Sequence, residues 1–217
     1  MKKIISTLFL CAAFQLILPA QHVSIGISAG AAISNYKTKD QDVSVSLTSR
    51  KGITAGIVAN IVMSKFFSVQ PALNFIQYGT SHETNYNGIT EKSKANVNCL
   101  ELPLNFIANI PLTKGGFFIG AGPSVTLAFS GKNKYSNSTS GNLESKLKFG
   151  NKSDDDMKML NIGANILGGY RFENGIFLSF NYNIGFTNLI PQPATGQSAK
   201  SHYIGLRLGY FLKNNKS

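Results

Sequence analysis

The stretch IFLSFNYNIGF, residues 176–186, constrains this chain more than any other. Ile176, Leu178, Phe180, Tyr182, Ile184 and Phe186 alternate with Ser179, Asn181, Asn183 and Gly185. A period of two means a β-strand with two unlike faces. One face is bulky and apolar. The other is polar but carries no charge. A strand face that meets bulk water normally carries Lys, Glu, Asp or Arg. Small uncharged groups instead suit a packed, hydrogen-bonded interior, which leaves the bulky face for lipid.

The same alternation recurs at residues 23–33, 53–63, 67–75, 98–110, 117–129, 160–166 and 204–212, and no helical period competes after residue 21. Within these strand cores the only charges are Glu101 and Arg207, with Lys158 and Arg171 near ends. Short turns at Ser64 and Lys65, at 111–116 and at Asn174-Gly175 alternate with long polar links at 37–50, 79–95, 130–157 and 188–200. Asn-Gly is a strong hairpin signal. The reading is an all-β fold: an antiparallel up-and-down transmembrane β-barrel of eight strands, with short turns on one side of a membrane and long links on the other. Closure matters because hydrocarbon offers no partner to a free backbone group. Aromatic residues gather near strand ends, as in membrane girdles. Phe66, Phe67, Phe117, Phe118, Tyr170, Phe172, Phe177, Tyr210 and Phe211 lie at the short-turn end, and Tyr36, Tyr78, Phe129 and Phe186 toward the long links. All are expected in two belts.

Residues 1–20 read as a signal peptide: Lys2 and Lys3, an apolar run, then Pro19 and Ala20. The barrel domain is then residues 21–217, and the compartment is the cell outer membrane. Of the two cysteines, Cys11 lies in the leader, so Cys99 has no partner for an intramolecular disulfide. Beyond the leader there is no run of 18 apolar residues, so any membrane crossing must use strands.

Glu101 falls on the inward face of the fourth strand and Arg207 on that of the eighth, at similar heights on opposite walls. A lone buried carboxylate is costly, so these two are expected to pair across a narrow lumen and brace it. The three histidines, His22, His82 and His202, make no Ser-His-acid set at one level of one wall, so no catalytic residue is expected. The strongest enzymatic alternative is a lipid-modifying barrel. Asp154, Asp155 and Asp156 lack the spacing of a calcium loop, and neither a metal nor a cofactor is expected. Eight strands leave no wide water path, which argues against a solute porin. Without Lys2 and Lys3 of the leader the formal charge falls from +11 to +9, and the mild lysine excess in the long links fits anionic headgroups, including lipopolysaccharide, and solvated loops equally well. Nothing in the chain points to nucleic acid. The partners expected are outer-membrane lipid and lipopolysaccharide, and proteins of the same membrane. The role is structural or interactive, with a lipid-binding or adhesion barrel as a further alternative.

CLELPLNF at 99–106 resembles the signature of the PorT-like outer-membrane β-barrel proteins of Bacteroidetes, with Cys99 where tyrosine is usual. GITAGIVANI at 52–61 and FFSVQPALNFIQYGT at 66–80 resemble the preceding hairpin of that family. The resemblance implies an eight-stranded outer-membrane barrel and, through the family's founder, a link to a type IX secretion-like apparatus.

Overall fold

The structure, a computed structural model, describes residues 23–40, 43–46, 48–86, 89–137 and 141–212. The segment expected to be a leader, residues 1–20, and His22 lie outside the described residues, as do the side chains of residues 82–86. Ten strands are present in the described residues: β1 (Val23–Asp40), β2 (Val43–Ser46), β3 (Thr48–Ser64), β4 (Phe67–Tyr86), β5 (Ile89–Leu112), β6 (Gly115–Asn137), β7 (Gly141–Lys146), β8 (Leu160–Phe172), β9 (Ile176–Gly185) and β10 (Ser198–Phe211). Eight of them form a ring in the order β1, β3, β4, β5, β6, β8, β9, β10, closed by pairing of β10 with β1. Every ladder in it is antiparallel. The closing ladder runs from Gly26↔Phe211 to Lys39↔Ser198, so the ring has no free edge through the apolar band. The remaining two strands are extensions at the long-link end, β2 on β1 and β7 on β6.

The apolar face points outward all round the ring. Ile57, Ile119 and Leu206 are 53%, 57% and 54% exposed, while their neighbours Val58, Phe118 and Arg207 are buried. Large aliphatic side chains this exposed would be untenable in water over a continuous band. In hydrocarbon they are solvated. Short turns join β3 to β4, β5 to β6 and β8 to β9 at one end. In the last of these Gly175 has φ 90°, and Asn174 Oδ1 accepts a hydrogen bond from Ile176 N at 3.1 Å. Glycine takes that backbone conformation without a Cβ clash.

Two expectations need correction. The link residues 79–86, 89–95 and 130–137 are not loops. They prolong β4, β5 and β6 to 20, 24 and 23 residues, about twice a tilted membrane crossing. The β4–β5 ladder continues to Tyr86↔Ile89 and the β5–β6 ladder to Glu91↔Asn137. Once a hairpin is in register, alternating Lys, Ser, Thr and Asn extend it as readily as they fill a loop. The aromatic belts are also thinner than expected. Phe66, Phe67, Phe117, Phe172, Tyr210, Phe129 and Phe186 are exposed outside the wall, but Phe118, Phe177, Phe211, Tyr36 and Tyr78 are buried inside it. Position along a strand sets height. Parity sets the face, and these five have inward parity.

Candidate functional site

The lumen is where this chain concentrates its buried polar groups. Glu101 sits on β5 between outward-facing Leu100 and Leu102, and its side chain is 0% exposed. β10 lies across the ring, four strands away in either direction. From it Arg207 Nη2 reaches to 3.6 Å from Glu101 Oε2. The structure therefore brings together the two residues singled out from sequence.

Nearby Asn and Ser residues are expected from the sequence to satisfy the remaining valences; the structure shows which ones do, and adds Tyr203, which sequence reasoning missed. Tyr203 Oη lies 2.9 Å from both carboxylate oxygens and donates its proton to this carboxylate. Tyr203 Oη in turn accepts from Arg207 Nη2 at 3.2 Å. Asn74 Nδ2 donates to Glu101 Oε2 at 3.1 Å, and Asn183 Nδ2 donates to Oε1 at 2.9 Å. Asn183 Nδ2 also reaches Ser124 Oγ at 2.8 Å. A carboxylate in a low-dielectric interior is tolerable only with donors of this kind around it. The signal for Tyr203 was its parity. It lies two inward positions from Arg207, just before the stretch read as the last strand.

Apolar layers enclose this polar one. Toward the short turns, Val58, Ile107, Phe118, Leu167, Phe177 and Phe211 form a buried cluster. Arg171 enters it with its guanidinium 4.7 Å from the Phe211 ring centre and 5.9 Å from that of Phe118. Arg171 Nη2 also donates to Asn60 Oδ1 at 3.4 Å, and Gln70 Nε2 donates to the same oxygen at 2.9 Å. Toward the long links, Tyr36, Ile76, Tyr78, Val97, Cys99 and Leu189 pack together, with Leu147, Phe149 and Met157 of the returning chain laid over them. Two small cavities lie between these layers among the described residues. One of about 30 Å³ lies beside Arg207, Asn105 and Asn181, and one of about 20 Å³ beside Tyr36 and Cys99. Each has room for about one water molecule.

The other candidates are dispersed. Ser201 is buried in the lumen, whereas His202 points to the outside of the wall. Asp155 Oδ2 accepts from Lys152 N and Asp156 Oδ2 from Lys148 N, both at 2.8 Å, so these two acids fasten their own loop. No group of three metal-ligating side chains occurs among the described residues. On the extension, Glu144 meets Lys132 at 2.7 Å and Lys134 at 3.0 Å. Hydrogen bonds from these lysines hold its carboxyl down to about 2.

The family model described as outer membrane protein beta-barrel domain matches residues 19–191. Among solved structures, the chain is similar to OprG from Pseudomonas aeruginosa at 11% identity, with a TM-score of 0.49, 89% of this chain covered and 98% of that one. It is similar to Ail of Yersinia pestis, solved with the heparin analogue sucrose octasulfate, at 15% identity, TM-score 0.43 and coverage of 88% and 99%. Neisserial surface protein A is a third, at 13% identity, TM-score 0.42 and coverage of 87% and 98%. No curated protein matches the sequence.

Proposed function

This chain belongs to the outer membrane protein beta-barrel domain family and is an outer-membrane protein, and from that premise we propose that it serves there as a structural and interaction component, neither a solute channel nor an enzyme. The observation that carries this reading is the filled lumen. The Glu101 layer separates cavities of about 30 and 20 Å³, and apolar clusters stand above and below it. A hydrated ion has no continuous path through such a stack. The strands that rise past the membrane band, β4 to β7, supply the surface for interaction. Its partners on this reading are outer-membrane lipid, including lipopolysaccharide, and other proteins of the same membrane. Support for a non-catalytic role comes from Ser201 and His202, which face opposite sides of the wall and cannot share a proton.

Membership of the narrower PorT-like group, and service to a type IX secretion-like apparatus, is the finer form of this proposal. It is supported by the residues at 52–61, 66–80 and 99–106. Planar-bilayer recording of the refolded protein tests the general reading, with no stepwise conductance expected. Steady single-channel currents would overturn it. Deleting the gene and assaying exported cargo tests the finer one. Cargo trapped in the periplasm supports the secretion role, and unchanged export removes it.

A further inference from the structure

The barrel wall is not equally high all round. β9 stops at Gly185, while β10 continues upward to Ser198 alongside β1. The β9–β10 ladder reaches only Ile184↔His202, so above that level β10 is paired in a ladder with β1 alone. This difference leaves a groove of about 510 Å³, with Tyr182, Ile184 and His202 on its lower side and Lys37, Lys39 and Lys200 on its upper side.

The charges there are arranged against their own repulsion. Lys37 lies directly opposite Lys200 in the closing ladder. Opposite residues of an antiparallel pair project to the same face, and like charges so placed are destabilising. Lys39 is the next outward residue of β1, and Lys51 stands opposite Ile33 on the other flank. None of these four lysines forms a salt bridge among the described residues. Their height is informative. Ile33, Ile53 and Ile204 are the top exposed aliphatic residues of this wall. Lys37 lies four residues beyond Ile33, about 13 Å of extended strand and less once tilted. Its flexible stem lets the ammonium reach back toward the apolar band. The cluster therefore stands at headgroup level, just outside a hydrocarbon core about 30 Å thick.

We propose that this groove binds a phosphorylated glycolipid of the outer leaflet. The phosphate sits between Lys37 and Lys200, with Lys39 and His202 around it, and the acyl chains lie down the wall over Tyr182, Ile184 and Ile204. An anion between the facing lysines turns a repulsive pair into a clamp, and the apolar floor selects a lipid over a free ion. The inference rests on the lipid-partner reading above and gives it a place.

The test uses the full chain folded in detergent, with bis-phosphorylated lipid A as the probe. Lipid retained per barrel after gel filtration is counted by native mass spectrometry. The unfolding midpoint is followed by the heat-dependent gel shift. Wild type should retain bis-phosphorylated lipid A roughly thirtyfold better than the double variant Lys37→Gln/Lys200→Gln, from about 1 kcal/mol per surface cation. It should retain little dephosphorylated lipid A. Lys114→Gln, at the opposite end, should behave as wild type. Without lipid the double variant should fold with an unfolding midpoint at or above that of wild type, since its repulsion is gone. Equal retention by the two proteins, or retention indifferent to the phosphates, would overturn the site. So would an unfolding midpoint raised as much by inorganic phosphate as by lipid A. Any of these results leaves the bilayer recording unchanged, so the two readings fail separately.

Discussion

Arg207 and Arg171 both reach into this barrel, and they are accommodated in different ways. Arg207, midway along the lumen, faces Glu101 at 3.6 Å inside a set of Tyr203, Asn74 and Asn183 hydrogen bonds. Arg171, near the short turns, has no carboxylate partner among the described residues. It lies over the rings of Phe211 and Phe118 and donates to Asn60. Depth explains the difference. A cation at mid-height is cut off from water by an apolar layer on each side, so only a formal counter-charge compensates its desolvation. A cation close to the short-turn mouth keeps part of its solvation. Aromatic faces and one amide oxygen then suffice.

The largest expected effect comes from breaking the deep pair. Glu101→Gln or Arg207→Met should each cost about 3–5 kcal/mol, because each strands a buried charge. The double variant should cost less than the sum of the two, as read by denaturant unfolding in lipid vesicles. Strict additivity would mean that the two groups do not sense each other. Next comes Tyr203→Phe, which removes the hydroxyl that both bridges the carboxylate and accepts from Arg207. A loss of about 1.5–3 kcal/mol is expected for a hydrogen bond to a charged group, measured in the same unfolding assay. A neutral result would shift the weight of the site to the asparagines.

Arg171→Met sharpens the comparison from the other side. Its expected cost is about 0.5–2 kcal/mol, the range for a cation over aromatic rings. It should add to Glu101→Gln without coupling, because the two share no partner. Coupling above about 0.5 kcal/mol in that cycle would show that the lumen behaves as one network and not as two separate layers. The smallest effect lies outside the membrane, at Glu144. Its carboxyl is held at about 2 against an ordinary 4.5, so its ion pairs are fully present above the ordinary value and fade as pH falls toward 2. Hydrogen exchange of the β6–β7 amides should stay slow at pH 4 and quicken near pH 2, with the barrel strands unaffected. Quickening already complete at pH 4 would show that Lys132 and Lys134 do not hold the extension in solution.

Much of this was legible in the alternation itself. Eight inward-facing sets of small polar residues dictated closure, and the lack of charge on that face dictated that the bulky face meets lipid. Glu101 and Arg207 stood out because they were the only charges within those cores. Phe118, Phe177 and Tyr78 lie inside the wall because nearness to a strand end fixes only height, while their parity, also legible in the sequence, fixes the face. The chain alone could not separate a polar loop from a strand that continues beyond the membrane, since Lys, Ser, Thr and Asn serve both. Strand pairing in register settled that at residues 79–86 and 89–95. The enclosure of Glu101 by Tyr203, Asn74 and Asn183 was also decided by tertiary structure alone. Those residues come from β10, β4 and β9. The strand twist and stagger of a closed ring bring them to one height across the lumen. A sequence read one strand at a time carries each residue's face. Its height relative to a strand on the opposite wall exists only once the ring has closed.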